Sequence, residues 1–277
     1  MREALLWSAV WIAVALLFNL WVFHVKGKEM ALQFLAGYLL EKSLSIDNLF
    51  VFLLIFKYFN LPARFQHKIL FWGIMGALVS RAIFIVFGLG LLHYFAWMIY
   101  VFGVILIWTG AKLAFEKDKK VEPEKNVFVK IFRRFFPFTN DYHEGKFFIR
   151  LNGALFATPL VVILLVVEST DIVFAVDSIP AIIAISRDLF IVYTSNIFAI
   201  LGLRALYFAL AQLMKLFHYL HYGLSLILVL IGVKMLISRY VHVPTAAALG
   251  GIFFILVLSV IASMIWPPKA GEISLGS

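Results

Sequence analysis

Five carboxylates stand where a membrane would least tolerate them. Glu168, Asp171 and Asp177 lie in VESTDIVFAVDSIPAI, Val167 to Ile182, inside an apolar run long enough to cross a bilayer. Glu41 and Asp47 lie in LEKSLSIDNLFVF, Leu40 to Phe52, inside another. A charge at mid-bilayer costs about 3 kcal/mol or more unless it is paired, protonated, wetted or holding a cation, so each acid is a candidate functional residue. At about 100° per residue, Glu168 and Asp171 share one helix face, whereas Asp177 lies about 120° from Asp171. A straight helix does not converge the three. Pro180 removes the hydrogen bond to the Val176 carbonyl, which predicts a kink or break beside Asp177 and Ser178 and a freed backbone oxygen as a further ligand. Asp47 stands as far beyond Glu41 as Asp177 beyond Asp171, and Asn48 offers a side-chain oxygen next to it.

Charge and ligand type narrow what such a site binds. Arg81 and Arg204 lie at the centres of other apolar runs. Five acids against these two leave three negative charges unbalanced, or one if Lys112 and Lys234 also reach inward. A net-negative field suits a divalent cation and not an anion. The sequence has no cysteine, and the acidic segments hold no histidine, so the ligands are oxygens and the candidates are Mn²⁺, Mg²⁺ and Ca²⁺. Carboxylates that change protonation as the metal leaves would permit proton exchange. The plainer reading is that the acids only form structural ion pairs with Arg81 and Arg204. Lys112 and Lys234, near the ends of their runs, read as snorkelling, and His218 with His221 reads as interfacial. Trp97, Trp108 and Trp266 read as belt and packing residues, and Gly73, Gly76, Gly88 and Gly90 as points of close helix approach.

The elements that must position these residues follow from composition. The chain has 277 residues, 64% hydrophobic and 14% charged, with a mean hydropathy of +1.00. That is too apolar for a soluble domain, and no alternating ten-residue pattern of a β-barrel is present. Eight apolar runs predict an all-α, polytopic bundle of about eight spans: Ala4–Val25, Met30–Phe56, Ile69–Leu92, Phe95–Phe115, Ala154–Ile185, Phe190–Leu213, Tyr222–Ile237 and Ala246–Trp266. The first is too long for a signal-peptide core and reads as a retained span. Residues 116–152 form one long basic segment, read as a partly ordered cytoplasmic loop whose IFRRFFPF stretch lies at the headgroups and which could dock a membrane partner or a second copy. With the N-terminus inside, fifteen basic residues fall on the cytoplasmic links and four outside, so both termini are expected in the cytoplasm. The net charge of +9 is accounted for by these links rather than by nucleic-acid binding.

The acidic segments also repeat. Glu41 aligned with Asp171 places Asp47-Asn48 on Asp177-Ser178. The next run in each case carries a central arginine (GALVSR81, AILGLR204), and the one after ends in TGAK112L or IGVK234M. The chain therefore reads as a single membrane domain over 1–277. It comprises repeat 1 over about 30–115, the loop 116–152, repeat 2 over about 153–237 and a final span 246–266. An odd number of spans per unit inverts the second against the first, an arrangement that places transporter sites between the halves.

At EKSLSIDNLFVF, VESTDIVFAVDSIPAI, TSNIFAILGLRALYF and GVKMLI the sequence resembles the TerC/Alx family of bacterial inner-membrane proteins, from about Leu35 to Ile265. It is most similar to the Alx branch, whose longer members carry an additional N-terminal span that this chain is expected to lack. The resemblance implies Mn²⁺ export from the cytoplasm across the bacterial inner membrane. Mn²⁺ is then the transported substrate, no organic cofactor is needed, and Glu41, Asp47, Glu168, Asp171 and Asp177 line the ion path. The expected mechanism is alternating access with proton coupling. No HExxH, GxSxG or GxGD motif is present, so an enzyme is not expected. The family resemblance also keeps open a non-transporting membrane partner that supports metalation or assembly of secreted proteins, or a tellurite-resistance accessory protein.

Overall fold

The computed structural model describes residues 2–115, 126–151, 153–213, 219–241 and 243–265, with the side chains of 2, 47 and 209–213 outside that description. Ten α-helices, a 3-10 turn at His143–Gly145 and one β-hairpin are the elements of the described chain. The helices are α1 (Arg2–Lys26), α2 (Lys28–Tyr58), α3 (Ala63–Tyr94), α4 (Met98–Phe115), α5 (Val127–Phe135), α6 (Pro159–Ile183), α7 (Leu189–Leu201), α8 (Leu203–Leu213), α9 (Leu220–Ile237) and α10 (Thr245–Ile265). The hairpin is β1 (Phe148–Leu151) with β2 (Ala154–Ala157), paired antiparallel so that Phe148 faces Ala157 and Leu151 faces Ala154.

Among the described residues, seven helical stretches are long and apolar enough to cross a membrane, with α7 and α8 counted as one across the turn at Gly202. The helix α2 has the length but falls outside the seven, because every bilayer-length stretch of it contains Glu41, Lys42 and at least one further charge. Their outer faces are apolar and exposed, as at Val79, Ile83, Val86 and Phe87 of α3. That pattern fits lipid contact, since a spanning helix satisfies its own backbone and presents side chains outward.

The inner faces pack in recurring pairs: α2 on α7, α3 on α6, and α4 on α9. Between α4 and α9 the backbones nearly touch. A Cβ added at Gly103 would meet the Gly232 carbonyl at 3.0 Å, and one added at Gly110 would meet the Ser225 carbonyl at 2.8 Å. Gly73 and Gly88 likewise face close side chains of α6, whereas Gly90 faces nothing within 4 Å and plays no part in close approach. Only one residue, Gly27, separates α1 from α2, and its φ of 87° is the left-handed conformation that glycine adopts without Cβ strain.

Two expectations need correction. The fifth span does not begin at Ala154: residues 154–157 satisfy their backbone against β1, and the helix starts at Pro159, whose missing N–H is harmless at a first helical position. Pro180 does not break α6. The helix runs on to Ile183, so the proline falls in its last turn, where few hydrogen bonds are left to lose. The loop 116–152, expected to be partly ordered, carries α5 and the first strand of the hairpin beyond residue 126.

Candidate ion site between the membrane helices

Each acidic helix carries its polar residues on one stripe. On α2, Tyr38, Glu41, Ser45 and Asn48 fall within about 80° of one another, and all four are buried. On α3 the buried stripe runs Gly73, Ala77, Arg81, Ile85, Gly88, so that Arg81 takes a core position between two apolar ones. The α6 stripe brings Asp171 to the same level, and α7 contributes Asn196, which has no exposed surface.

These four side chains meet. Arg81 Nη1 donates to Glu41 Oε1 and, at 2.9 Å, to Asn196 Oδ1. Its Nη2 lies 3.5 Å from Asp171 Oδ1, and Ser80 Oγ donates to Asp171 Oδ2 at 3.4 Å. Arg81 is 1% exposed, Glu41 0% and Asp171 5%, so the cluster has no direct access to bulk water. Its level in the bundle is defined by packing. One apolar cluster takes in Leu49 of α2, Ile69 of α3, Val167 of α6 and Ile200 of α7. A second takes in Leu40, Ile85, Ala175 and Val192 of the same four helices. Glu41, Arg81, Asp171 and Asn196 occupy the boundary between the two. A guanidinium suits this place because its fork of N–H donors can serve two carboxylates and an amide at once.

Glu168 lies one turn before Asp171, half-buried, with its carboxylate directly over Gly76; a Cβ there would collide with both of its oxygens. Glu41 Oε2 and Ser45 Oγ are buried together near the centre, and among the described residues the buried Ser178 Oγ has no hydrogen-bond partner. The sequence of the TerC integral membrane protein family matches this chain over residues 26–270. The chain belongs to the TerC family. Three similar relatives are an uncharacterized membrane protein of Myxococcus xanthus, Alx of Escherichia coli (strain K12) and an uncharacterized membrane protein of Rickettsia bellii (strain RML369-C). The first is 49% identical over 95% of this chain and 83% of its own. Alx, named as a proposed membrane-bound redox modulator, is 46% identical over 94% and 84%. The third is 39% identical over 95% and 87%. No solved structure matches the chain.

Within this TerC-family bundle the predicted residues do not all converge. Asp177 faces α4, where Thr109 Oγ1 donates to its Oδ1 at 2.7 Å, and so stands apart from the Arg81 cluster. The side chain of Asp47 lies outside the described residues, and Asn48 is buried nearby on α2. Arg204 is exposed on α8 and does not balance the buried acids; the turn at Gly202 ends α7 first. Lys112 is exposed, while Lys234 is half-buried and donates to the Ala184 carbonyl at the C-terminal end of α6. His218 lies outside the described residues, and the His221 ring packs on Tyr222. Among the described residues no three histidines, aspartates or glutamates gather closely enough to hold a metal.

Sequence reasoning missed four participants. Asn196 is a neutral residue in an apolar run and gave no charge signal. Ser80 and Thr109 look like ordinary span residues until their partners are seen. Lys42 stood next to Glu41 unnoticed; its ammonium donates to the Ala199 carbonyl at 3.2 Å, where the break between α7 and α8 leaves carbonyls without helical partners.

Proposed function

We propose that this TerC-family protein is a divalent-cation transporter of the bacterial cytoplasmic membrane that exports Mn²⁺ by alternating access, with both termini in the cytoplasm. The observation that carries the reading is the buried meeting of Glu41 and Asp171 on one guanidinium, with Glu168 a turn away. Two acids on one tethered cation, with a third a helical turn along α6, make a place where a mobile cation competes. In the cation-free state Arg81 holds the two carboxylates together; an arriving divalent ion takes their oxygens in its place, and protons taken up by the acids on its departure would couple the two flows. The choice of Mn²⁺ and of the outward direction rests on the family resemblance, not on the geometry.

An inverted repeat is part of the proposal and has support in the packing. Exchanging the two three-helix units turns the pair α2 on α7 into the pair α6 on α3, and both occur. The Gly103 contact with Gly232 maps onto Ser225 with Gly110 when Lys112 is aligned with Lys234, and both of these occur too. Glu41 and Asp171, equivalent in the repeat, share Arg81. A redox role of the kind named for Alx could not use thiols here, since these 277 residues include no cysteine; export of a redox-active metal is a route to one. The reading needs no enzyme activity and no organic cofactor.

The test is metal flux into proteoliposomes, with Mn²⁺, Mg²⁺ and Ca²⁺ offered separately under an imposed pH gradient. Wild type should move Mn²⁺, and Asp171→Asn should not while still inserting. Undiminished flux in that variant would refute the site. No flux of any ion from wild type would favour a partner role for secreted metalloproteins instead.

A further inference from the structure

The short helix α5 sits in an unusual place. Its N-cap, Asn126, accepts from the amides of Phe128 and Val129 and donates through Nδ2 to Ser169 Oγ at 2.5 Å. Just past its other end, Phe138 bridges Ala157, two residues before α6 begins. Ser169 is about 15 Å along α6 from Pro159, and α5 is about 13 Å long. The helix therefore lies beside α6 and runs opposite to it, with its N-terminus towards the bundle centre and its C-terminus at the end of the bundle.

Its sides differ in chemistry. Val129 is the one buried residue of α5. Val127, Ile131, Phe135 and Phe128 fall within an arc of about 100°, and all four are exposed. Lys130, Arg133 and Arg134 occupy a second arc of about 100°, exposed; among the described residues none of the three forms an ion pair, and Arg133 lies over the Phe138 ring. The apolar arc continues onto the hairpin. Phe132 stacks on Phe136 at 4.8 Å, Phe136 meets Phe148 at 5.9 Å, and Phe148, Leu151 and Leu155 are exposed.

We infer that α5 and the hairpin form a binding site for anionic phospholipid in the leaflet at the N-terminal end of α6. The apolar arc sits among acyl chains, and Lys130, Arg133 and Arg134 hold the headgroup. Charge complementarity selects the occupant: an apolar arc alone would accept any lipid, but three exposed cations beside it, none ion-paired among the described residues, call for a negative headgroup. The inference concerns lipid only and stands whether or not the chain transports metal.

The absence of cysteine allows a direct test. A spin label on Ile131→Cys should be more accessible to oxygen than to a water-soluble nickel chelate in liposomes containing phosphatidylglycerol, which places it among acyl chains. Protein released from nanodiscs of mixed phosphatidylglycerol and phosphatidylcholine should retain the anionic lipid in roughly tenfold excess over the bulk ratio. Arg133→Gln with Arg134→Gln should abolish the excess, and the paired lysine variant should keep it. A water-exposed label, no enrichment, or equal enrichment in the glutamine variant would overturn the proposal. So would displacement of the lipid by inorganic phosphate, or dipolar broadening between labels, which would put a second copy on this face. If the glutamine variant fails to fold, the label and the wild-type lipid ratio decide.

Discussion

Arg81 is the residue on which the centre depends. Removing one partner of a buried ion pair strands the other, at a cost of about 3–5 kcal/mol. Arg81→Gln should therefore destabilise the protein by that order in detergent unfolding, and adding Asp171→Asn to it should recover part of the loss. A change below about 1 kcal/mol would mean that the acids are balanced in some other way. Outside the spans, Asp188 offers a pH-dependent case. It caps α7 by accepting from the Ile191 amide and pairs with Lys26 at 3.3 Å. Burial pushes its carboxyl up, but the Ile191 amide, Lys26 and the Phe190 amide together outweigh that and hold it below the usual aspartate value. A lowered carboxylate stabilises the fold above its unfolded pKa of about 4 and loses that contribution as pH falls through the lower folded value. Wild type should thus lose its stability advantage over Asp188→Asn as thermal unfolding is followed from pH 7 to pH 3; a constant difference would show that the charge contributes nothing.

At the scale of elements, the closest packing is α4 against α9. A Cβ at Gly110 would stand 2.8 Å from both the Ser225 carbonyl and Val229 Cγ2, and the carbonyl belongs to backbone that cannot swing aside. Gly110→Ala should cost about 1–3 kcal/mol. Gly250→Ala in α10, where nothing lies within 4 Å, should be neutral or gain up to about 1 kcal/mol from helix propensity. Equal effects of the two, measured by thermal unfolding, would contradict the interface. The cap of α5 and the hairpin is tied to the bundle end by Tyr142, whose hydroxyl donates to the Phe59 carbonyl at 2.7 Å and whose phenol burial pushes up, and by Lys68 donating to the Gly145 carbonyl.

For the whole molecule, the proposed orientation puts the bundle end that carries that cap on the cytoplasmic side and the α6–α7 and α9–α10 links outside. A membrane-impermeant thiol reagent applied to intact cells should label Arg187→Cys and Arg239→Cys but not Asn140→Cys, three positions that are exposed. Labelling of the last alone would invert the orientation. The basic residues crowd on one set of links, which is why orientation is a sequence-level argument at all.

Membrane residence, the helical class and the placement of most spans were legible in the sequence, because bilayer length and apolar composition act locally and leave a signal in any window of twenty residues. Membership of the family was legible for a related reason, since contiguous blocks around Glu41, Glu168 and Lys234 carry it. The buried pairing was not. That Arg81 rather than Arg204 meets the acids depends on which helix faces inward at that level, and the 100° step per residue leaves this open until α3 is set against α6 and α7. The role of Asn196 and the run of α5 beside α6 are likewise contacts between residues 115 and 43 positions apart in the chain. Local chemistry sets what each helix is, and only packing between distant helices decides which polar groups share a centre.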